Sequence, residues 1–236
     1  MNFKNIEKAF SVIDPYTYLD LLLFKILGDA KDLKTKIIYW IVYIAFSFLL
    51  AWTIYKLIGL ILGTSMPMVV VVSGSMEPSF YRGDIIILKG IKEIKADVIT
   101  IDENIEAKNL SEYSASKFIK NKYNLEQIEY IEFTNNQKIE IKDTLNNDVV
   151  VYNSNLNGRD IIHRAIAVIK TPYGKYVLTK GDNNMTNRTI DQDCKINDLG
   201  QIYGCLNMYA IKQTELKGKK IGKIPYLGYL KLFLFS

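Results

Sequence analysis

Hydrophobic residues are unevenly distributed along the chain, and one stretch is long enough to cross a membrane. Residues 37–63 read IIYWIVYIAFSFLLAWTIYKLIGLILG, with Lys56 as the single charged residue. A bilayer core needs about 20 consecutive apolar residues in a helix, so the pattern predicts a transmembrane helix over 37–63. Tyrosines and tryptophans near both ends are typical of the membrane–water interface. The stretch is too long for the apolar region of a cleaved signal peptide. Its length also disfavours a buried core helix, so we expect a retained membrane anchor.

The charges that flank this stretch predict its orientation. Four lysines lie within residues 25–36, whereas positive charge after the stretch is nearly absent until Arg82. Positive charge accumulates on the cytoplasmic side of a membrane. We therefore expect a single-pass protein with a cytoplasmic N-terminus and an extracytoplasmic domain that starts near residue 64.

Two shorter segments also have apolar patterns. Within the N-terminal segment 1–36, apolar positions at helical spacing after Pro15 predict a short amphipathic helix that is cytoplasmic or interfacial. At the other end, residues 224–236 contain IPYLGYLKLFLF. This tail is too short to span a bilayer, and we expect it to lie at the membrane interface.

After Pro67 the pattern changes to short β-branched runs separated by glycine, proline, asparagine and aspartate, which is typical of strands and turns. The extracytoplasmic domain is therefore predicted to be mostly β, formed by residues 64–91 and 148–223. Residues 92–147 break the rhythm and predict an inserted α+β subdomain. The strands are expected at 68–72, 85–88, 149–152, 165–169 and 175–178; the insertion is expected to hold a helix-like piece at 114–123 and strands at 128–133 and 138–141.

Composition narrows the class of function. The net charge is +5, with 30 lysines and arginines interleaved with 25 aspartates and glutamates, so nucleic-acid binding has little electrostatic support. The chain has one histidine and two cysteines, Cys194 and Cys205, which do not have the spacing of a zinc site. We expect no metal and no cofactor. The cysteines are predicted either to form a disulfide or to remain as buried thiols.

A serine and a histidine are the candidates for catalysis. Ser75 lies in a Ser-Gly-Ser-Met-Glu-Pro segment that follows four consecutive valines. A serine hydroxyl is a weak nucleophile that needs a base to take its proton. His163 is the only histidine, and an ordinary imidazole titrates near pH 6.5, which suits proton transfer at neutral pH.

Four segments together resemble the type I signal peptidases, in their archaeal and endoplasmic-reticulum branch. They read VVVVSGSMEPSFYRGDIIIL, DVVVYNSNLNGRDIIHRAIAVI, YVLTKGDNN and GKIPYLGY, in the order found in that family. The resemblance implies a membrane serine endopeptidase that removes signal peptides from exported preproteins, with Ser75 as nucleophile and His163 as base. It implies as partners the preproteins, the bilayer and the protein-export machinery. The expected location is the cell membrane, or the endoplasmic-reticulum membrane in a eukaryote.

A neutral imidazole also needs a carboxylate to fix its tautomer, and the candidates after Gly181 are Asp182, Asp191 and Asp193. Relatives have one aspartate in the Gly-Asp-Asn-Asn turn and a second about six residues later, where this chain has Arg188. A short local insertion would displace the second aspartate. Asp182, Asp191 and Asp193 all remain candidates to orient His163. Asp182 is the one that the family motif assigns most directly, with ordering of the site as its alternative role.

The strand before Ser75 is expected to bind substrate. The Ser75 amide and the Ser73 hydroxyl could both donate to the oxyanion that develops in acyl transfer. An extended peptide could pair with this strand and place alternate side chains against Met68, Val70 and Val72.

Two other functions compete with a signal peptidase. A self-cleaving repressor-type peptidase of the same broad fold is disfavoured by the predicted anchor and by histidine in place of lysine as the base. A non-catalytic membrane-anchored binding subunit of a secretion complex, with the fold kept and the chemistry lost through the altered aspartate region, remains the alternative.

Overall fold

The computed structural model describes Val12 and residues 14–235, which fall into two compact units that divide after Leu57. Helix α1 spans Pro15–Leu27 in the first unit, and helix α2, Leu33–Leu62, contains the division between the units. The Asp14 side chain accepts a hydrogen bond from the Tyr16 amide at the start of α1, as a helix N-cap does. The predicted short helix after Pro15 is confirmed, whereas the first eleven residues of the predicted N-terminal segment lie outside the described residues.

Helix α2 corresponds to the predicted transmembrane stretch. It is 30 residues long, its most apolar window has a mean hydropathy of 2.1, and none of that window is buried within the protein. Among the described residues it is the one helix long and apolar enough to cross a membrane. Its bounds differ from the predicted 37–63 by a few residues, because the helix already begins at Leu33.

The described residues of the second unit form thirteen strands, so the mostly β prediction is confirmed. The largest sheet has the order β1-β2-β13-β7-β8-β9-β12, and β3 adds to β8 in parallel while the other pairs are antiparallel. The strands are β1 Met68–Val70, β2 Ile85–Lys89, β3 Asp97–Thr100, β4 Ser114–Lys120, β5 Glu126–Phe133, β6 Lys138–Glu140, β7 Val149–Asn153, β8 Asp160–Thr171, β9 Gly174–Lys180, β10 Lys195–Ile196, β11 Ile202–Tyr203, β12 Ile211–Lys212 and β13 Gly218–Ile224.

Strands β4, β5 and β6 form a second sheet. The predicted helix-like piece at 114–123 is wrong, because its first seven residues form strand β4. Along β4 a buried or half-buried residue alternates with an exposed one up to Ile119, and β4 pairs with β5 over its whole length. Pairing and burial on one face therefore outweigh the local helical pattern. Strand β3, which also lies within 92–147, pairs with β8 of the large sheet.

Two apolar clusters hold this unit together. One cluster packs Ile128 and Ile131 of the small sheet against Ile169 and Leu178 of the large sheet. The other includes Met76 just after the candidate serine. Short 3₁₀ segments span Leu110–Glu112, Ile141–Asn146 and Gln213–Glu215, and helix α3 spans Tyr229–Phe235.

Candidate active site

Ser75 lies in the loop that follows β1, at one end of the large sheet. The Val71 amide donates to the Asp84 carbonyl and the Gly83 amide donates to the Val71 carbonyl, so backbone pairing continues just beyond β1. Gly83 has φ 90°, and a Cβ there would lie 2.4 Å from the Tyr229 ring. Only glycine fits this turn without displacing that ring.

The Gly-Asp-Asn-Asn turn contacts the serine loop directly. The Asn183 amide donates to the Ser75 carbonyl at 2.9 Å, and its side-chain amide donates to the Gly74 carbonyl at 2.8 Å. A Cβ on Gly181 would lie 2.6 Å from the Ser75 carbonyl oxygen. Glycine at 181 therefore permits the close approach that ties the two segments together.

Three strands place polar side chains on one face of the sheet. Tyr152 and His163 share a face because Val150 pairs with His163 and side chains alternate along β7. Thr179 pairs with Ala165 and so lies on the same face. Sequence reasoning identified only the histidine of the three.

Asp191 is the aspartate that contacts His163. Its Oδ2 atom lies 2.6 Å from His163 Nδ1, and the two side chains are 1% and 2% exposed. A proton on Nδ1 leaves Nε2 free to accept another. The Asp191 amide donates to the Thr179 carbonyl, and the amides of Leu206 and Asn207 donate to the Asp191 carbonyl. These bonds fix the backbone from which the carboxylate projects.

Two hydroxyl groups donate to the same carboxylate oxygen. Thr179 Oγ1 lies 2.7 Å from Asp191 Oδ2, and Tyr152 Oη lies 3.0 Å from it. Gln192 orients the threonine, since its Nε2 donates to Thr179 Oγ1 at 3.3 Å and its Oε1 accepts from the Thr179 amide. A tyrosine or threonine inside a strand has no local pattern that marks it, which is why sequence reasoning missed both.

Asp182 pairs with Arg164 and not with His163. The guanidinium donates from Nε at 2.8 Å and from Nη2 at 2.6 Å to the two carboxylate oxygens, and from Nη1 to the Asn147 carbonyl. Ser79 donates to the same carboxylate at 2.5 Å. This bidentate pair fastens the Gly-Asp-Asn-Asn turn to β8 next to the histidine.

Asp193 lies apart from the histidine. Burial raises the pKa of its carboxyl, against the opposing effects of nearby Lys195 and of Ser116 in β4. Among the three aspartates predicted after Gly181, the structure thus brings one to His163, one to Arg164 and one to the small sheet.

A groove of about 690 Å³ brings the serine and histidine together, lined by residues 69–75 on one side and by Asp160–His163 on the other. Ser75 is half-buried in it, and its Oγ lies 3.2 Å from Ser73 Oγ. Within the described part of the chain, the Ser75 hydroxyl hydrogen-bonds Ser73 and not the imidazole. Catalytic hydrogen bonds often form only when substrate is bound.

The predicted substrate strand lies along this groove only in part. Val70 and Val72 line the groove, whereas Met68 lies outside its lining. Strand β1 is the terminal strand of the sheet order, so one of its edges can accept a further strand.

Comparison with known proteins shows what this chain is similar to. No family model matches the chain. The signal peptidase complex catalytic subunit SEC11 of Scheffersomyces stipitis is 26% identical over 191 residues, which cover 81% of this chain and 79% of the relative. The protein of the same name from Yarrowia lipolytica is 24% identical over 184 residues, covering 78% of this chain and 72% of the relative. The chain is a relative of the type I signal peptidases.

This signal peptidase relative has a buried lysine beside its candidate site. Lys180 donates to the Gly181 carbonyl at 2.8 Å and to Asn184 Oδ1 at 2.7 Å. Burial lowers its pKa to about 8, although the charges of Asp191 and Asp182 act in the opposite direction. Lys180 pairs with Arg164 across the strands, so both lie on the face opposite His163.

A disulfide closes the segment that follows Asp191 in this signal peptidase relative. Cys194 and Cys205 are bonded, which decides between the two alternatives left open by the sequence. The bond joins the two ends of the β10–β11 hairpin, next to Leu206, which lines the groove. Within the described residues, no group of three or more histidine, cysteine, aspartate or glutamate side chains could hold a metal ion.

Proposed function

We propose that this protein is a membrane-anchored serine endopeptidase that removes N-terminal signal peptides from exported preproteins, with Ser75 as nucleophile and His163 as general base. One observation carries the proposal most directly. Ser75 and His163 line the same groove, and Asp191 holds the buried imidazole at 2.6 Å. The related proteins named signal peptidase complex catalytic subunit support the same function.

Acylation uses the free nitrogen of the imidazole. With its Nδ1 proton directed to Asp191, His163 takes the Ser75 hydroxyl proton on Nε2 as Oγ attacks the scissile carbonyl carbon. The carbonyl π electrons move to oxygen, and the Ser75 amide and the Ser73 hydroxyl donate to that oxyanion. The 3.2 Å separation of the two serine hydroxyls supports this role for Ser73.

Collapse of the tetrahedral intermediate breaks the peptide bond. His163 returns its proton from Nε2 to the departing amine, which is the new N-terminus of the mature protein. The signal peptide remains as an ester on Ser75 until a water molecule, deprotonated by His163, attacks the ester carbon. The second collapse releases the signal peptide with a free carboxylate and returns the proton to Ser75.

The free edge of β1 supports an extended substrate. A signal peptide that pairs with β1 would place alternate side chains against Val70 and Val72 in the groove. Strand β8 pairs with β9 only from Arg164 onward, so its segment Asp160–His163 has a free edge on that side. The peptide would therefore run between this edge and the edge of β1. Its carbonyl groups would then reach Ser75 in a fixed register.

The topology follows from the charges around α2. Helix α2 serves as the single membrane anchor, with residues 1–36 in the cytoplasm and the β domain on the other side, as the lysines before the helix support. The protein acts on preproteins at the cell membrane or the endoplasmic-reticulum membrane, in contact with the protein-export machinery. In this proposal, residues 64–91 and 148–223 form the catalytic domain, 92–147 is inserted, and 224–236 lies at the interface.

Reconstitution tests this function. The full chain is placed in lipid vesicles with a radiolabelled preprotein, and the products are identified by N-terminal sequencing. We expect one new N-terminus, directly after the signal peptide, and one released peptide. An intact preprotein after long incubation at high enzyme concentration would instead favour a non-catalytic binding subunit.

A further inference from the structure

Tyr152 is placed to influence the histidine without touching the reacting atoms. Its side chain is fully buried on the same face of the sheet as His163, and its hydroxyl lies 3.0 Å from Asp191 Oδ2. That oxygen therefore accepts from three groups, namely His163 Nδ1, Thr179 Oγ1 and Tyr152 Oη. A tyrosine buried this deeply normally has a partner for its hydroxyl, and here the partner is the carboxylate.

A carboxylate that accepts several hydrogen bonds stabilises a neighbouring imidazolium less strongly. Each donor stabilises the negative charge where it is, so less of that charge is available to favour a proton on His163 Nε2. The Tyr152 hydroxyl also limits rotation of the Asp191 carboxylate. We propose that Tyr152 is a positioning residue that holds Asp191 and lowers the proton affinity of His163, so that the imidazole stays neutral and competent as a base at lower pH.

Tyr152 keeps its proton in the pH range of an enzyme assay. Burial, and secondly the charge of Asp191, raise the pKa of the Tyr152 phenol well above its ordinary value. It therefore keeps its proton and cannot repel the carboxylate as an anion. Its contribution to the His163–Asp191 pair is then constant across the pH range of an enzyme assay.

Other charged groups near the pair do not duplicate this hydrogen bond. Lys180 of β9 donates to Gly181 and Asn184, and the Arg164 guanidinium of β8 is engaged by Asp182 and the Asn147 carbonyl. Arg164 and Lys180 are cross-strand neighbours in β8 and β9, and both lie on the face of the sheet opposite to His163. Because their charges remain in place, a change at Tyr152 isolates the effect of its hydroxyl.

The single histidine of the chain allows a direct test. Histidine labelled with ¹³C at Cε1 gives one NMR signal that belongs to His163, and its pH titration is recorded for the full chain in detergent micelles. For Tyr152→Phe we expect the midpoint to rise by about 0.5–1 pH unit, with the same shift in the acidic limb of kcat/KM. An unchanged or lower midpoint, or a loss of activity without a shifted limb, would overturn the proposal.

A matched control removes a hydroxyl that has no partner. Tyr113 is also fully buried, and its hydroxyl lacks a hydrogen-bond partner among the described residues. Tyr113→Phe should leave the midpoint unchanged; an equal rise in both variants would overturn the specific role of Tyr152.

A second variant keeps the test decisive if Tyr152→Phe does not fold. Site-specific 3-fluorotyrosine at position 152 retains the shape and donates more strongly, so the His163 midpoint should fall. An unchanged or higher midpoint would contradict the proposal. The role of Tyr152 rests on the proposed function of this site, but the NMR titration is independent of cleavage: a wild-type protein that cleaves no preprotein would disprove the function and leave the titration to decide Tyr152.

Discussion

His163 Nδ1 lies 2.6 Å from Asp191 Oδ2, and both side chains are almost completely buried. The two residues come from different elements, since His163 belongs to β8 and Asp191 follows β9 in a loop. Backbone hydrogen bonds from Asp191 to Thr179, and from Leu206 and Asn207 to Asp191, hold that loop in place. This arrangement makes the three candidate aspartates, Asp182, Asp191 and Asp193, experimentally distinguishable.

Asp191→Asn should nearly abolish cleavage. An amide beside Nδ1 permits the wrong imidazole tautomer and does not stabilise the imidazolium, so we expect kcat to fall about 10³–10⁴-fold. Single-turnover cleavage of a preprotein measures this. Asp193→Asn is the matched control and should retain nearly full activity, because the aspartate that contacts His163 is Asp191. The assignment is wrong if the control loses more activity than Asp191→Asn.

Asp182→Asn should act on stability. Removal of this charge leaves the Arg164 guanidinium, which is 10% exposed, without its carboxylate partner. Breaking a buried pair by removing one partner costs about 3–5 kcal/mol. We expect a clear decrease in the thermal unfolding temperature of the full chain in detergent. An unchanged unfolding temperature would mean that the bidentate pair contributes little.

The sequence singles out Ser75 and His163 as candidates, but it does not reveal the groups around Asp191. Ser75 and His163 lie in local segments whose residue types suit acyl transfer by themselves. The choice among Asp182, Asp191 and Asp193 depends on how the loop after β9 folds back, and no local spacing determines that. Tyr152 and Thr179 were missed for the same reason, because only the register of β7, β8 and β9 places them beside the carboxylate.

The same limit applies to the fold. The long apolar stretch and the β-branched runs predict α2 and most strands correctly, because burial on one or both faces determines those patterns. The piece at 114–123 was assigned as helix-like, yet strand β4 occupies its first seven residues. Pairing with β5 determines that element, and such a pairing is not visible in a local pattern.

Ser73→Ala should lower kcat with little effect on KM. The Ser73 hydroxyl is expected to donate to the oxyanion and not to the ground-state substrate, and loss of one such donor costs about 10²–10³-fold in kcat. Ser73→Thr retains a hydroxyl and is the control. Steady-state kinetics on a signal-sequence peptide would contradict this role if the alanine variant were as active as the threonine variant.

Lys180 should make stability depend on pH in the alkaline range. Its pKa is lowered from the ordinary 10.5 to about 8, mainly by burial. Below pH 8 both folded and unfolded chains carry the proton. Between pH 8 and 10.5 the unfolded chain binds one proton more than the folded chain, so the free energy of unfolding rises with pH, by at most about 1.4 kcal/mol per unit.

A Lys180→Met variant isolates this effect. Other lysines and tyrosines titrate in both proteins and cancel, so the stability of wild type relative to the variant should increase from pH 8 to 10. Thermal unfolding at half-unit intervals measures it. A difference that stays constant over this range would show that Lys180 is not the group responsible.

The disulfide should support the site by confining the segment after Asp191. Replacing Cys194 and Cys205 with serine frees the β10–β11 hairpin next to groove residue Leu206. A closed loop of this size stabilises a protein by about 2–3 kcal/mol, and we expect a lower unfolding temperature and a raised KM. Dithiothreitol should have the same effect on wild type and none on the double variant; a reductant-insensitive wild type would contradict this prediction.

Preprotein cleavage by Ser75→Ala and His163→Ala variants in lipid vesicles tests the central claim most directly. Each full-length variant is compared with wild type at equal amounts, with unfolding temperature as the measure of folding and N-terminal sequencing as the measure of product. The proposed mechanism predicts that both variants fold and that neither produces the mature N-terminus at a measurable rate. Cleavage by either folded variant at the wild-type rate would contradict the mechanism.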